Sequence, residues 1–294
     1  MSEYDGLAAE FEENRPRLRA VAYRMLGSLA EADDAVQETW LRFSKAKAEG
    51  VESLEAWLTT IVVRICLNML RSRKRRREDP LEVHVPDPVI SSPDGVDPEE
   101  AALLADSVGL ALQVVLDTLA PAERLAFVLH DMFDLPFDEI APMVGRTPAT
   151  TRQLASRARR RVRDMEVPAP DPDVARQREV VHAFFAAAKR GELDALVAVL
   201  DPDVVLRADE GAERRHASAV VKGAAAVAGR AVLFDRPTAL VRPALVNGAA
   251  GVVIMVDGRP VSVMGFTVSG GRIVRIDVMA DPERLVRLDL TVLG

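Results

Sequence analysis

A single cysteine, Cys66, in 294 residues excludes an internal disulfide framework and suits a reducing compartment. It stands between Ile65 and Leu67, where packing is expected rather than nucleophilic chemistry. No apolar run approaches the ~20 residues needed to span a bilayer, and no signal peptide precedes the first polar helix. A soluble, cytoplasmic chain with no membrane contact is therefore expected. His130 follows an apolar stretch with no ligand partner at useful spacing, so neither a metal nor another cofactor is expected. No internal repeat occurs. Lysine and arginine are missing between Glu78 and Asp106, where Glu78, Asp79, Glu82, Asp87, Asp94, Asp97, Glu99, Glu100 and Asp106 are acidic. The same stretch holds Pro80, Pro86, Pro88, Pro93 and Pro98, which predicts an extended, flexible linker.

What is present is organised in blocks. The net charge of −7 hides Arg71-Ser-Arg-Lys-Arg-Arg-Arg77, an almost wholly basic run. Blocks of opposite sign matter more for recognition than their sum. A weakly acidic whole binds DNA poorly alone, which fits a protein that works on DNA beside a larger partner. Helical periodicity divides the chain into a first helical domain (1–78), the acidic linker (79–107) and a second helical domain (108–165). A second breaker, Val167-Pro-Ala-Pro-Asp-Pro172, marks a short linker (166–173). An α+β domain (174–294) completes the chain. Within it, Val180, Val181, Phe184, Phe185 and Ala188 form one helical stripe, and a short helix follows at Leu193–Leu200. Strands are predicted at Val204–Ala208, Ala239–Val246, Gly251–Val256, Pro260–Val268 and Arg272–Met279, with turns at Asp257-Gly258 and Ser269-Gly-Gly271. That order suggests a curved sheet wrapping its helices.

Residues 138–163 carry the most specific signal. They predict a short helix, a turn at Gly145, and a second helix after Thr147 that ends in dense arginine: a helix-turn-helix. Before it, Pro121 suits a first helical turn, while Leu125, Val128 and Leu129 supply core. In the last helix Thr151, Leu154, Ala155, Ala158 and Val162 should face inward, leaving Arg152, Gln153, Ser156, Arg157 and Arg160 outside. Arginine reads guanine and glutamine reads adenine in a major groove, each pairing worth about 1–3 kcal/mol of discrimination. A helical hairpin with a cationic surface is the bland alternative.

The first helical domain shows two stripes on one helix. Val36, Thr39, Trp40 and Phe43 should face the core. Asp34, Gln37, Glu38 and Leu41 form a second face that suits a partner as well as water. In the next helix Leu54, Trp57, Leu58, Ile61 and Ile65 pack inward. Arg64, Asn68, Arg71 and Arg75 line another face, continuous with Arg73 and Lys74, and such a face can follow phosphates and hydrogen-bond exposed bases. Aromatic residues are scarce there, so base capture by stacking alone is unsupported, and a merely solvated face remains an alternative.

The order of these parts resembles the extracytoplasmic-function sigma factors of bacterial RNA polymerase, specifically the SigJ-type subgroup with a fused SnoaL-like, NTF2-like C-terminal domain. Asp34-Ala-Val-Gln-Glu-Thr-Trp-Leu41 is similar to the family segment that grips the clamp helices of the polymerase largest subunit. Trp57-Leu-Thr-Thr-Ile61 and the basic helix after it look like the segment that opens and reads the −10 element. Residues 121–163 look like the −35 reader, with the reader positions on Arg152, Gln153, Ser156 and Arg157. Three subgroup motifs have degenerate counterparts. Trp-Leu-Pro-Glu-Pro corresponds to His84-Val-Pro-Asp-Pro88, which lacks the tryptophan but keeps the proline-acid-proline core; Asp-Gly-Gly-Gly corresponds to Asp209-Glu-Gly-Ala212; and Asn-Pro-Asp-Lys-Leu appears as Ala280-Asp-Pro-Glu-Arg-Leu285.

The resemblance implies two all-α sigma domains followed by an α+β cone, acting on promoter DNA with core polymerase. It implies no enzyme; Asp209, Asp277 and His216 are the titratable candidates if the cone were one. Pro86, Asp87, Pro88, Asp209, Glu210, Gly211, Asp281, Pro282 and Leu285 are the expected regulatory contacts, by which the cone docks on the sigma domains or on the linker. A small ligand or an anti-sigma partner for the cone stays open. A stand-alone helix-turn-helix regulator with a ligand-sensing tail is the competing function.

Overall fold

The computed structural model describes residues 3–45, 53–76, 83–93, 109–165, 169–233 and 238–293. The chain divides into two compact units: Met1–Pro80, Ala101–Asp106 and Val115–Glu166 form one, and Leu81–Glu100, Ser107–Val114 and Val167–Gly294 form the other.

The first unit is helical. Helices α1 (Glu3–Leu26), α2 (Leu29–Phe43) and α3 (Leu54–Arg76) precede α4 (Gly109–Thr118), whose later residues belong to this unit. Then come α5 (Pro121–Phe127), a π-helical turn (Val128–Met132), α6 (Phe137–Val144) and α7 (Pro148–Asp164). Ser28 caps α2 by accepting the Glu31 N–H, which satisfies one of the donors a helix start leaves open. The predicted inward stripe of α2 is found: Val36, Thr39 and Phe43 are buried and Trp40 half-buried. Phe11 closes this core against Trp40 and Phe43, and Trp57 of α3 meets the Phe43 ring edge-on.

Cys66 is fully buried in this unit. Burial pushes its thiol up to about 12, against a smaller downward pull from the Arg124 charge. Because the thiolate is the reactive form, the native protein should not react with a disulfide reagent such as DTNB until denaturant opens the unit. Stoichiometric labelling of the native chain would contradict that packing.

The second unit holds α8 (Val174–Arg190), α9 (Leu193–Val199), β2 (Leu200–Asp209), β3 (Ala219–Lys222) and α10 (Ala224–Leu233). A meander follows: β4 (Ala239–Val246), β5 (Ala249–Val256), β6 (Arg259–Ser269) and β7 (Arg272–Met279), then α11 (Pro282–Leu285). With β1 (Ile90–Ser91) from the acidic segment, the sheet order is β1-β4-β5-β6-β7-β2-β3, and only β2 and β7 run parallel. Side-chain alternation divides it into two faces. Val181, Phe184 and Leu196 cover one, meeting Leu206, Ala250, Val252, Phe266 and Ile276. The opposite face carries Val246, Val253, Val263 and Met279, and is covered by Val85, Ile90, Leu110 and Leu285. Gly251 and Gly265 keep that face flat: a Cβ on Gly251 would stand 2.7 Å from the Met264 carbonyl, and Leu110 lies 3.2 Å from the Cβ position of Gly265.

The fold class agrees with expectation, while three elements do not follow from the sequence pattern. β3 and α10 fill the stretch between the first strand and the meander. The acidic segment departs most: residues 83–92 do not form a loose tether but lie in the second unit, where Ile90 and Ser91 pair antiparallel with Val246 and Leu245. Burying Val85 and Ile90 stabilises that placement by about 1.5–3 kcal/mol each.

Candidate functional site

In the helix-turn-helix, Gly145 ends α6 in the left-handed region (φ 66°), and Thr147 caps α7 by accepting the Thr150 N–H at 3.2 Å. Pro148 at the first helical position fixes the entry. Thr151, Ala155 and Ala158 are buried, so Arg152, Gln153, Ser156, Arg157 and Arg160 project outward together. Other arginines of α7 anchor the helix: Arg159 pairs with Asp131 at 2.6 Å and Arg161 with Glu123 at 3.2 Å. His130 is satisfied by the Leu135 carbonyl at 2.9 Å.

On α3, Arg64, Asn68 and Arg71 are exposed on one side. Arg73 departs from the predicted basic face. Its guanidinium bonds Glu31 and donates to the Leu26 carbonyl at 2.9 Å, so it ties α3 to the α1–α2 corner. The side chains of Lys74 and Arg75 lie outside the described residues. On α2, Asp34 and Gln37 are exposed, Glu38 pairs with Arg42 at 2.9 Å, and Leu41 is 43% exposed on the same side of the helix.

Several residues expected to be regulatory converge within the second unit. Asp209, at the end of β2, is 1% exposed, yet its carboxylate is fully engaged. Its Oδ2 accepts the Val85 N–H at 2.9 Å and lies 3.3 Å from His84 Nδ1, while Oδ1 accepts the Gly211 N–H at 3.0 Å. Burial works to raise this carboxyl, but the hydrogen bonds from His84, Val85 and Gly211, with the His84 charge, outweigh it and hold Asp209 below the usual carboxylate range. Arg284 completes the arrangement. It donates to Asp209 at 3.0 Å, to Asp87 at 2.7 Å and to the Val85 carbonyl at 2.6 Å, so one planar fork joins the acidic segment, β2 and α11.

The other expected contacts support this clasp. Pro86 and Pro88 are buried beside it, and Leu285 is buried in the core of that sheet face. Gly211 has φ 84°, and a Cβ there would stand 2.6 Å from Asp281 Cγ, so only glycine fits. Asp281 caps α11 with Pro282 at its first position, and the Glu210 N–H donates to Ser218 at 2.9 Å. Further along, Val89 and Asn247 exchange hydrogen bonds of 2.8 and 3.1 Å, and Arg178 donates to the Pro93 carbonyl.

Sequence reasoning overlooked His84, Val85, Asn247 and, above all, Arg284. The missing signal for Arg284 was charge complementarity: a cation inside a C-terminal motif, facing a segment with nine acids and no lysine or arginine. Asp277 lies on the same sheet face as Asp209. It is held by Arg275 at 2.9 Å, and burial pushes its carboxyl up against the pull of Arg275 and Arg207. His216 is exposed. Among the described residues, no group of three or more His, Cys, Asp or Glu is placed to hold a metal ion. Nor is any described helix long and apolar enough to cross a membrane.

Residues 11–76 match Sigma-70 region 2, and residues 109–162 match Sigma-70, region 4. Over 290 residues the chain is 35% identical to the "Probable ECF RNA polymerase sigma factor SigI" of Mycobacterium tuberculosis, covering 97% of both. The chain belongs to the ECF RNA polymerase sigma factors. This sigma factor is also 42% identical over 216 residues to the M. tuberculosis "ECF RNA polymerase sigma factor SigJ", covering 73% of this chain and 69% of that one. The crystal structure of M. tuberculosis SigJ aligns with a TM-score of 0.77 at 34% identity, covering 97% of this chain and 100% of that one. The sigma factor acts in transcription initiation with RNA polymerase and promoter DNA, and its α+β tail is part of the shared architecture. The stand-alone regulator reading gives way, since region 2 has no place in it.

Proposed function

We propose that the exposed Asp34–Leu41 face of α2 docks on the clamp helices of core polymerase, that α3 engages the −10 element, and that α7 reads the −35 element. The C-terminal domain restrains this machinery through the linker. One observation carries the restraint. Regions 2 and 4 pack against each other in the first unit, where buried Arg124 of α5 donates to the Arg24 carbonyl of α1 at 2.9 Å. Elements about 25 base pairs apart are separated by roughly 80 Å of B-DNA at 3.4 Å per step. Regions packed together in this way do not span that distance, so the packed form must open before both elements are read.

The clasp supports the same reading, because the segment joining the two regions is held by Asp209 and Arg284 rather than left to extend. It also argues against a catalytic cone. The Asp209 carboxylate is spent on protein partners, and the helix-covered sheet face is apolar. A covalently attached domain acts at high effective concentration, so weak contacts suffice for control.

Paired variants test the division of labour. Asp34→Arg with Glu38→Arg should weaken core-polymerase binding about tenfold in a pull-down titration, by reversing two charges at an interface rim. Arg152→Ala and Arg157→Ala should leave that binding unchanged and lower −35 discrimination about 5- to 150-fold at the contacted base pair in run-off transcription. If either pair loses both activities together, the sites are not separate and the assignment fails.

A further inference from the structure

The reader arginine Arg152 does not stand alone. Its guanidinium lies over the ring of Phe137, 5.3 Å from the centroid, and that ring lies against the His130 imidazole with centroids 3.9 Å apart and the planes tilted by 35°. The turn before α6 sets this arrangement. The π-helical turn at Val128–Met132 carries His130, and the chain then reverses so that the Leu135 N–H returns to the Leu129 carbonyl at 2.9 Å. Asp134 makes the reversal at φ 55°, a conformation aspartate tolerates better than most residues. His130 is fixed from the same loop by the Leu135 carbonyl. Phe137 thus starts α6 as a half-buried ring against a restrained imidazole, with its remaining contact to the reading helix.

We propose that Phe137 is a specificity-determining positioning residue: a π platform that orients the Arg152 guanidinium for base reading at the −35 element. The inference rests on Arg152 being a base reader. Stacking uses the face of the guanidinium and leaves its N–H edge free, the edge that makes two parallel hydrogen bonds to a base. A long arginine side chain otherwise samples many rotamers, most of which point the fork away from any one base pair. At a solvent-facing site a cation–π contact corresponds to about a two- to fivefold population of the stacked arrangement. That factor should appear at one base pair, as sharpened preference, and not as general DNA affinity.

The test is run-off transcription by the full chain with core polymerase on promoters randomised across the −35 element. Arg152→Ala should flatten preference at one base pair. Phe137→Leu should reduce preference about two- to fivefold at that same pair and leave the others unchanged, and Phe137→Tyr should restore the wild-type ratio. Phe137→Met removes the π face with a different side chain, so a folding defect in one variant does not decide the matter. If Phe137→Leu and Phe137→Met keep the wild-type ratio where Arg152→Ala flattens it, the platform is overturned and the reader stands. If Arg152→Ala leaves every ratio intact, reader and platform fall together. A loss spread evenly over all positions also overturns the platform.

Discussion

Arg284→Ala should release the linker from the C-terminal domain and raise promoter-dependent transcription by the intact chain. From α11 the arginine bonds both the linker, through Asp87 and the Val85 carbonyl, and β2, through Asp209. Removing one member of a largely buried charge pair costs about 3–5 kcal/mol, because the partner left behind loses its counter-charge where water cannot replace it. Arg284 retains some exposure, so the lower end applies, which still corresponds to about a hundredfold shift in linker docking. Arg284→Lys should recover only part of it, since a point charge cannot fork toward three acceptors. Hydrogen exchange at the Val85 and Val89 amides reports the release directly, because their acceptors are Asp209 and Asn247. Unchanged exchange, or unchanged run-off yield despite faster exchange, would remove the clasp from regulation.

Protonation of Asp209 near neutral pH is not the signal that opens it. Asp209 is held below its ordinary range, so the stability it lends to docking is present above about pH 4 and is lost only as pH falls through the lower folded value. Across the neutral range Asp209 keeps its charge, so its titration does not open the clasp. Under the proposed function, polymerase binding separates regions 2 and 4 and lengthens the segment between them, and so competes with the clasp.

How much of this was legible in the chain follows from the physics of each element. Helix faces were readable because burial follows a 3.6-residue period: Thr151, Ala155 and Ala158 sit inward on α7, and Asp34 and Gln37 outward on α2. The meander was readable because β-branched runs are punctuated by turn glycines, with Gly258 and Gly271 both at positive φ. The linker was misread because composition describes only what a segment does alone. Prolines and acids make residues 83–92 a poor independent structure, yet β4 offers them a strand partner and Arg284 a counter-charge. Arg73 was misread for the related reason that a cation in a basic run takes whichever acid the fold brings near, here Glu31. β3 and α10 were missed although Ala219-Val-Val-Lys222 and the alanine-rich 224–233 stretch carry ordinary strand and helix propensity.

Arg124→Ala supplies the second large effect, and its signs separate regulation from damage. The Arg124 side chain is nearly inaccessible, donates to the Arg24 carbonyl and pairs with Asp117, so truncation removes a buried hydrogen bond and a charge pair together. Breaking such a pair should lower the stability of the helical unit by about 3–5 kcal/mol, read as a shifted midpoint in urea. It should also make Cys66 reactive at lower denaturant, since that thiol is sensed electrostatically by Arg124 and shares the unit. The contact joins region 2 to region 4, so the same change lowers the work of separating them. Transcription per folded molecule should therefore rise while stability falls. A variant both less stable and less active would mean that Arg124 serves folding alone, and the packed arrangement would lose its standing as a restrained state.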